Sequence, residues 1–119
     1  MSVDYEAFIG IGWVISEVER EQMIEANYAL YEEGKAPCVE DEFYYINAYT
    51  GGDVFLGERV VAVDEGDYIC VSDLSEIISP EKLEALGEKF ATIIEACGIE
   101  ITIDSKWASP QLYLINRVW

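Results

Sequence analysis

At 119 residues the chain is one domain by size, residues 1–119, and long enough to bury a core without disulfide or metal staples. It carries 24 acidic against 7 basic residues, a net charge of -17, and no histidine. The missing histidine removes Ser-His and Cys-His catalytic pairs, and the charge repels phosphate and anionic lipid, which argues against direct nucleic-acid or membrane binding. A hydrophobic content of 51% separates the chain from disordered acidic polymers, and the acids are spread, 13 in residues 1–60 and 11 in residues 61–119.

The start, Met1-Ser2-Val3-Asp4-Tyr5-Glu6, is acidic where a secretory signal needs basic residues, and the uncharged run from Ala7 to Ser16 is too short to span a bilayer. A cytoplasmic location is the expectation. Residues 7–15 read as a buried strand with Ile9, Ile11, Trp13 and Ile15 on one face. Gly10 and Gly12 fall on the other, where something is expected to approach closely.

Ser16-Glu17-Val18-Glu19 fits a capping box, so a helix should run from about Glu17 to Glu33 and stop at Gly34. Its apolar stripe is modest: Val18, Ala26, Ala29, Leu30. A second stripe is acidic: Glu17, Glu21, Glu25, Tyr28 and Glu32 share one side. Like charges four residues apart destabilise a helix by roughly 0.2–0.5 kcal/mol a pair, so the stripe opposes the helix that carries it.

Pro37 and the acids Glu40, Asp41 and Glu42 mark a loop, and Phe43 to Tyr49 reads as an aromatic strand. Thr50 to Asp53 is a Gly-Gly turn, Val54 to Val63 a strand, Asp64 to Asp67 a turn and Tyr68 to Val71 another strand, together an antiparallel meander. Ser79-Pro80-Glu81 opens the second helix, which Gly98 ends. Leu83, Leu86, Phe90, Ile93, Ile94 and Cys97 form its core face, with Glu81, Glu84, Glu88 and Glu95 opposite. Ile99, Ile101 and Ile103 alternate with polar residues as a half-buried strand, and Gln111 to Val118 is the last strand. The order β-α-β-β-β-α-β-β predicts an α+β fold: an antiparallel or mixed sheet of five to six strands with two helices on one face, of which a ferredoxin-like variant is one solution.

Little here suggests catalysis. Cys38, Cys70 and Cys97 form no CxxC pair and read as reduced thiols. Asp64, Glu65 and Asp67 lack calcium-loop spacing, so no metal is expected. Gly10-Ile11-Gly12 lacks the third glycine of a dinucleotide fingerprint and sits inside a strand, so no cofactor is expected. A carboxylate-only enzyme would need a concave pocket with acids of raised pKa.

The charge itself is the functional signal. Solubility needs a net charge of about 2–8, and self-repulsion makes more a burden. Seventeen net charges match ~29 Å of duplex DNA, comparable with the ~35 Å diameter of a domain this size. The expectation is a non-catalytic inhibitor that occupies the basic surface of a nucleic-acid-binding protein or nuclease, as DNA-mimicking anti-restriction or anti-CRISPR proteins of phages and plasmids and nuclease-immunity proteins do. The analogy is one of size and charge. Its contact residues would be the Glu17, Glu21, Glu25, Tyr28, Glu32 stripe, Glu40, Asp41 and Glu42, and Asp64, Glu65 and Asp67. Phe43, Tyr45 and Tyr49 alternate on one strand, and Tyr113 and Trp119 share a face of the last. If helices cover only one side of the sheet, these aromatics form an interface on the other, or a second small core. The alternative is a small-ligand-binding or self-associating module, homodimeric through the aromatics, whose acidity is incidental.

Overall fold

The computed structural model describes residues 5–47, 49–63, 66, 68, 70, 72 and 78–118. Among the described residues the fold is α+β, with two helices and a four-stranded, curled antiparallel sheet. The elements are β1 (Tyr5–Ile15), α1 (Glu17–Glu32), β2 (Phe43–Tyr45), β3 (Val54–Val63), α2 (Pro80–Ala96) and β4 (Gln111–Val118), with single 3-10 turns at Glu40–Glu42 and Lys106–Ala108. The sheet order is β2-β3-β1-β4.

Both helices start where their caps dictate. The Glu19 amide donates to Ser16 Oγ at 3.2 Å and the Ser16 amide to Glu19 Oε1 at 3.0 Å, the reciprocal pair of a capping box. The Lys82 amide donates to Ser79 Oγ at 3.1 Å, with Pro80 in the first turn. The main core lies between the helices and one face of the sheet. Ile11, Trp13, Ile15, Val54 and Leu56 meet Met23 of α1 and Leu86, Phe90, Ile93 and Ile94 of α2. Trp13 anchors it, with ring centroids 5.7 Å from Phe90 and from Trp107, and its indole N–H donates to the Lys106 carbonyl at 2.8 Å.

The face of α1 that is buried differs from the one its apolar residues predict. Val18 is 65% exposed and Ala29 is exposed, whereas Met23 and Asn27 are buried. Asn27 replaces apolar area with hydrogen bonds: its Nδ2 donates to the Pro37 carbonyl and its Oδ1 accepts from the Val39 amide, both at 2.9 Å. That side chain pins the chain after α1 against the helix. Asn27→Ala is expected to destabilise the fold by ~2–3 kcal/mol, because it strands a buried amide and a carbonyl. An unchanged urea midpoint would show that these groups find other partners.

Two expected strands change. Phe43 to Tyr49 shortens to Phe43–Tyr45 because Asn47 leaves the ladder to build a turn. Its Oδ1 accepts from the amides of Tyr49 at 3.0 Å and Thr50 at 3.2 Å, and its carbonyl from Gly51 at 3.0 Å. Gly51 and Gly52, at φ of 69° and 96°, then turn the chain into β3 as the Gly-Gly signal predicts. Ile99 to Ile103 forms no strand. Ile99 and Ile101 pack on the core, but the Ser105 amide and hydroxyl bond the Thr102 carbonyl at 3.0 and 2.9 Å, and this turn leaves Ile103 92% exposed. Of Tyr68 to Val71, only Tyr68 and Cys70 are described, both exposed and outside any strand.

The sheet curls until its two edges meet. Asn47, just beyond β2, bridges Val118 at the end of β4, and the Val118 amide donates to the Ile46 carbonyl at 3.0 Å. The concave face closes over a second core of Phe8, Phe55 and Ile115, with Val14, Tyr44, Ile46 and Tyr113 packed on it. Both β1 glycines permit a close approach, as their pattern predicts. A Cβ at Gly10 would lie 2.7 Å from Phe55 Cζ, and one at Gly12 would lie 2.0 Å from the Leu56 carbonyl oxygen of β3.

Candidate partner-binding surface

The acidic stripe of α1 stands as its spacing predicts: Glu17, Glu21, Glu25, Tyr28 and Glu32 are all exposed along one flank of the helix. Two loops join that flank. Tyr28 Oη donates to a carboxylate oxygen of Glu40, which brings the 3-10 turn to the middle of the stripe. At the start of the stripe, Gly51 sits against Glu17, whose Oε2 would be 3.2 Å from a Cβ there. Glu40 therefore converges with the α1 acids. Glu42 does not: it is half-buried and turned to α2, where Lys89 Nζ donates to it at 2.7 Å. Asp41 lies between them in the turn. Asp64, Glu65, Asp67 and Trp119 lie outside the described residues.

The aromatics do not share one open face. Phe43 and Tyr45 lie on the helix side, packed against the main core, with the Arg20 guanidinium 5.8 and 4.7 Å from their ring centroids. Tyr113 lies on the opposite, concave side, 6.1 Å from the Phe55 ring. There it packs on the second core of Phe8, Phe55 and Ile115. Tyr49 is 54% exposed in the turn before β3.

The cations decide which acids remain unbalanced. Arg59 bonds Glu6 at 2.8 Å, Lys106 reaches Glu19 at 3.3 Å, Lys82 approaches Glu58 at 4.0 Å and Lys35 meets Glu33 at 2.8 Å. With Lys89 on Glu42, five of the seven basic residues are held by acids off the stripe. The other two are held by aromatic rings and backbone: Arg20 over Tyr45 and Phe43, and Arg117 over Tyr44 with its Nε donating to the Tyr45 carbonyl at 3.0 Å. Among the described residues, no ion pair involves Glu17, Glu21, Glu25, Glu32 or Glu40. Nor does α1 carry a basic residue in its last turn, so Glu32 also opposes the helix dipole.

Glu19 contrasts with the stripe. Burial pushes its carboxyl up, but the Ser16 amide, the Lys106 ammonium and the Ser16 hydroxyl together hold it below its ordinary value. A depressed carboxylate contributes stability that is present above the unfolded pKa and lost as pH falls through the folded one. Glu19→Ala is expected to cost ~1 kcal/mol at neutral pH. The gap to wild type should shrink as pH falls below the ordinary carboxylate value toward the lower one of Glu19. A gap that is constant in acid unfolding series would mean that the charge has no part in the cap.

The remaining chemistry is sparse. Among the described residues no disulfide forms: Cys38 and Cys70 are exposed, the Cys70 thiol 2.9 Å from Ser72 Oγ, and Cys97 is half-buried with its thiol pushed up by burial. Among the described residues, no three metal-ligating side chains gather, and no helix is long and apolar enough to cross a membrane. Arg20 and Asn27 are the consequential residues that sequence reasoning missed. Their only signal is position: both fall on the flank of α1 away from the acidic stripe. No protein-family model, curated protein or solved structure matches this chain.

Proposed function

We propose that this protein is a non-catalytic acidic binding protein that occupies the basic, nucleic-acid-binding surface of another protein and inhibits it by competing with phosphate. One observation carries the reading: among the described residues, the lysines and arginines are engaged away from Glu17, Glu21, Glu25, Glu32 and Glu40, and no ion pair neutralises these five acids. Five carboxylates along the ~22 Å from Glu17 to Glu32 give one charge per ~4.5 Å, against ~3.4 Å of axis per phosphate on one DNA strand. The stripe offers about three-quarters of that charge density on a rigid support. The scaffold is a ferredoxin-like variant, an assignment supported by the β-α-β-β-α-β order of the described elements and the β2-β3-β1-β4 neighbour order. Three cysteines with no disulfide among the described residues support a reducing, cytoplasmic setting.

The test is affinity capture from a lysate at low salt, followed by elution with duplex DNA. A captured protein that DNA releases is the expected result. A partner that stays bound under excess DNA, or binding indifferent to salt, overturns the mimic reading. A second reading, self-association, is favoured by the edge strand β4, where Leu112 and Leu114 are 46% and 75% exposed on the face that carries Tyr5. A native mass of twice the chain would support it.

A further inference from the structure

We infer that the groove between α2 and the Ile101–Pro110 segment docks a basic amphipathic helix of a partner protein. The groove holds about 620 Å³ and runs along α2. Its floor is apolar: Leu83, Gly87 and Ala91 from α2, and Ile101, Trp107 and Pro110 from the facing segment. Its rim on the α2 side is acidic, with Glu84, Glu88 and Glu95 all exposed. No ion pair among the described residues involves these three, because the nearby lysines turn elsewhere: Lys82 to Glu58, Lys89 to Glu42 and Lys106 to Glu19.

Among the described residues, nothing requires a glycine at position 87. It sits in the middle of α2 at an ordinary helical φ, where glycine weakens a helix relative to alanine. Among the described residues, a Cβ there would meet only Pro110 Cδ, at 4.0 Å, which is ordinary contact. The chain tolerates the weaker helix, and the floor stays open over the middle of the groove.

Charge and shape select the occupant. Three unpaired carboxylates above an apolar floor match a segment with one cationic and one apolar face. The groove is lined by helix and loop, with no strand edge to pair an extended peptide. An extended segment would press its own amides and carbonyls unpaired against the floor, whereas a helix arrives with them satisfied. Glu84, Glu88 and Glu95 span ~16 Å of α2, so lysines or arginines on one flank of a helix of about four turns reach all three. This surface is distinct from the α1 stripe and does not depend on the reading above.

The test is a fluorescence-anisotropy titration with a leucine–lysine amphipathic helical peptide of about 16 residues, and with a shuffled peptide of equal composition that has no apolar face. The protein is expected to bind the amphipathic peptide ~10-fold or more tightly than the shuffled one, and Gly87→Leu should abolish that margin without changing net charge. Glu84→Gln/Glu88→Gln/Glu95→Gln should weaken binding by ~10-fold, whereas neutralising the α1 stripe should weaken it by less than ~3-fold. Gly87→Ala should fold and raise Tm by about 4 °C, which separates lost docking from lost structure. If Gly87→Leu does not melt cooperatively, the triple glutamine variant decides. Equal affinity for both peptides, or a stripe variant that loses as much as the groove variants, overturns the inference. So does a dimer of the protein alone that Gly87→Leu dissolves, which would place a second copy in the groove.

Discussion

Replacing Gly12 with alanine is expected to abolish the native sheet. Gly12 of β1 faces Gly57 of β3 in the antiparallel register. A Cβ at Gly12 would lie 2.0 Å from the Leu56 carbonyl oxygen, and one at Gly57 would lie 2.2 Å from the Ile11 carbonyl oxygen. Both obstacles are backbone, paired in the centre of the sheet, and neither can rotate away. Relief requires parting β1 from β3, the two strands that carry Ile11, Trp13, Val54 and Leu56 into the main core and Phe8 and Phe55 into the second. The cost should exceed ~4 kcal/mol, a large share of the ~5–15 kcal/mol available to a domain. Gly10→Ala should cost less, ~1–3 kcal/mol, since its obstacle is the Phe55 ring and overpacking against a side chain relaxes in part. Circular dichroism and urea unfolding distinguish the cases. A Gly12→Ala protein that melts cooperatively near the wild-type temperature would show that β1 and β3 do not cross this closely.

Neutralising the α1 stripe as Glu17→Gln/Glu21→Gln/Glu25→Gln/Glu32→Gln is expected to weaken partner binding by ~100-fold at low salt, from ~0.7 kcal/mol for each exposed pair. The loss should fall mainly on the association rate and fade as salt rises, because steering by exposed charge is screened within ~10 Å at 0.1 M salt. The same substitutions remove like-charge repulsion along the helix, so the variant should be no less stable than wild type. The control Asp53→Asn/Glu81→Gln/Glu100→Gln/Asp104→Asn removes as many exposed charges elsewhere, and should weaken binding by less than ~3-fold. If both variants lose equally, net charge rather than the stripe drives association. If neither loses, acidity has no part in recognition and the inhibitor reading falls.

Local rules carried much of the fold. Ser16 and Glu19, or Ser79 and Pro80, announce their helices because a cap satisfies amides within a few residues of itself. β1 follows from the alternation of Ile9, Ile11, Trp13 and Ile15, and Val54–Val63 and Gln111–Val118 stand as strands where they are expected. The failures lie where a polar side chain makes a bond that periodicity cannot register. Asn47 ended β2 early by accepting the Tyr49 and Thr50 amides. Asn27 was overlooked as a core residue because its burial depends on Pro37 and Val39. Which side of the sheet Phe43 and Tyr45 occupy depended on where the helices pack, and Arg20 reaches across from α1 to their rings.

The candidate surface divides in the same way. The linear code determines the charge of -17, the two helices and the i, i+4 spacing that lines Glu17, Glu21, Glu25 and Glu32 along one flank. Only the tertiary structure decides which acids remain unbalanced. Arg59 finds Glu6 across 53 positions and Lys106 finds Glu19 across 87, while among the described residues no cation pairs with the stripe. It also decides that Tyr28 draws Glu40 to the stripe and that Trp107 and Pro110 face α2 across a groove. Spacing along a helix is set by its 3.6-residue turn, but pairing between distant charges exists only after the sheet has brought them within reach.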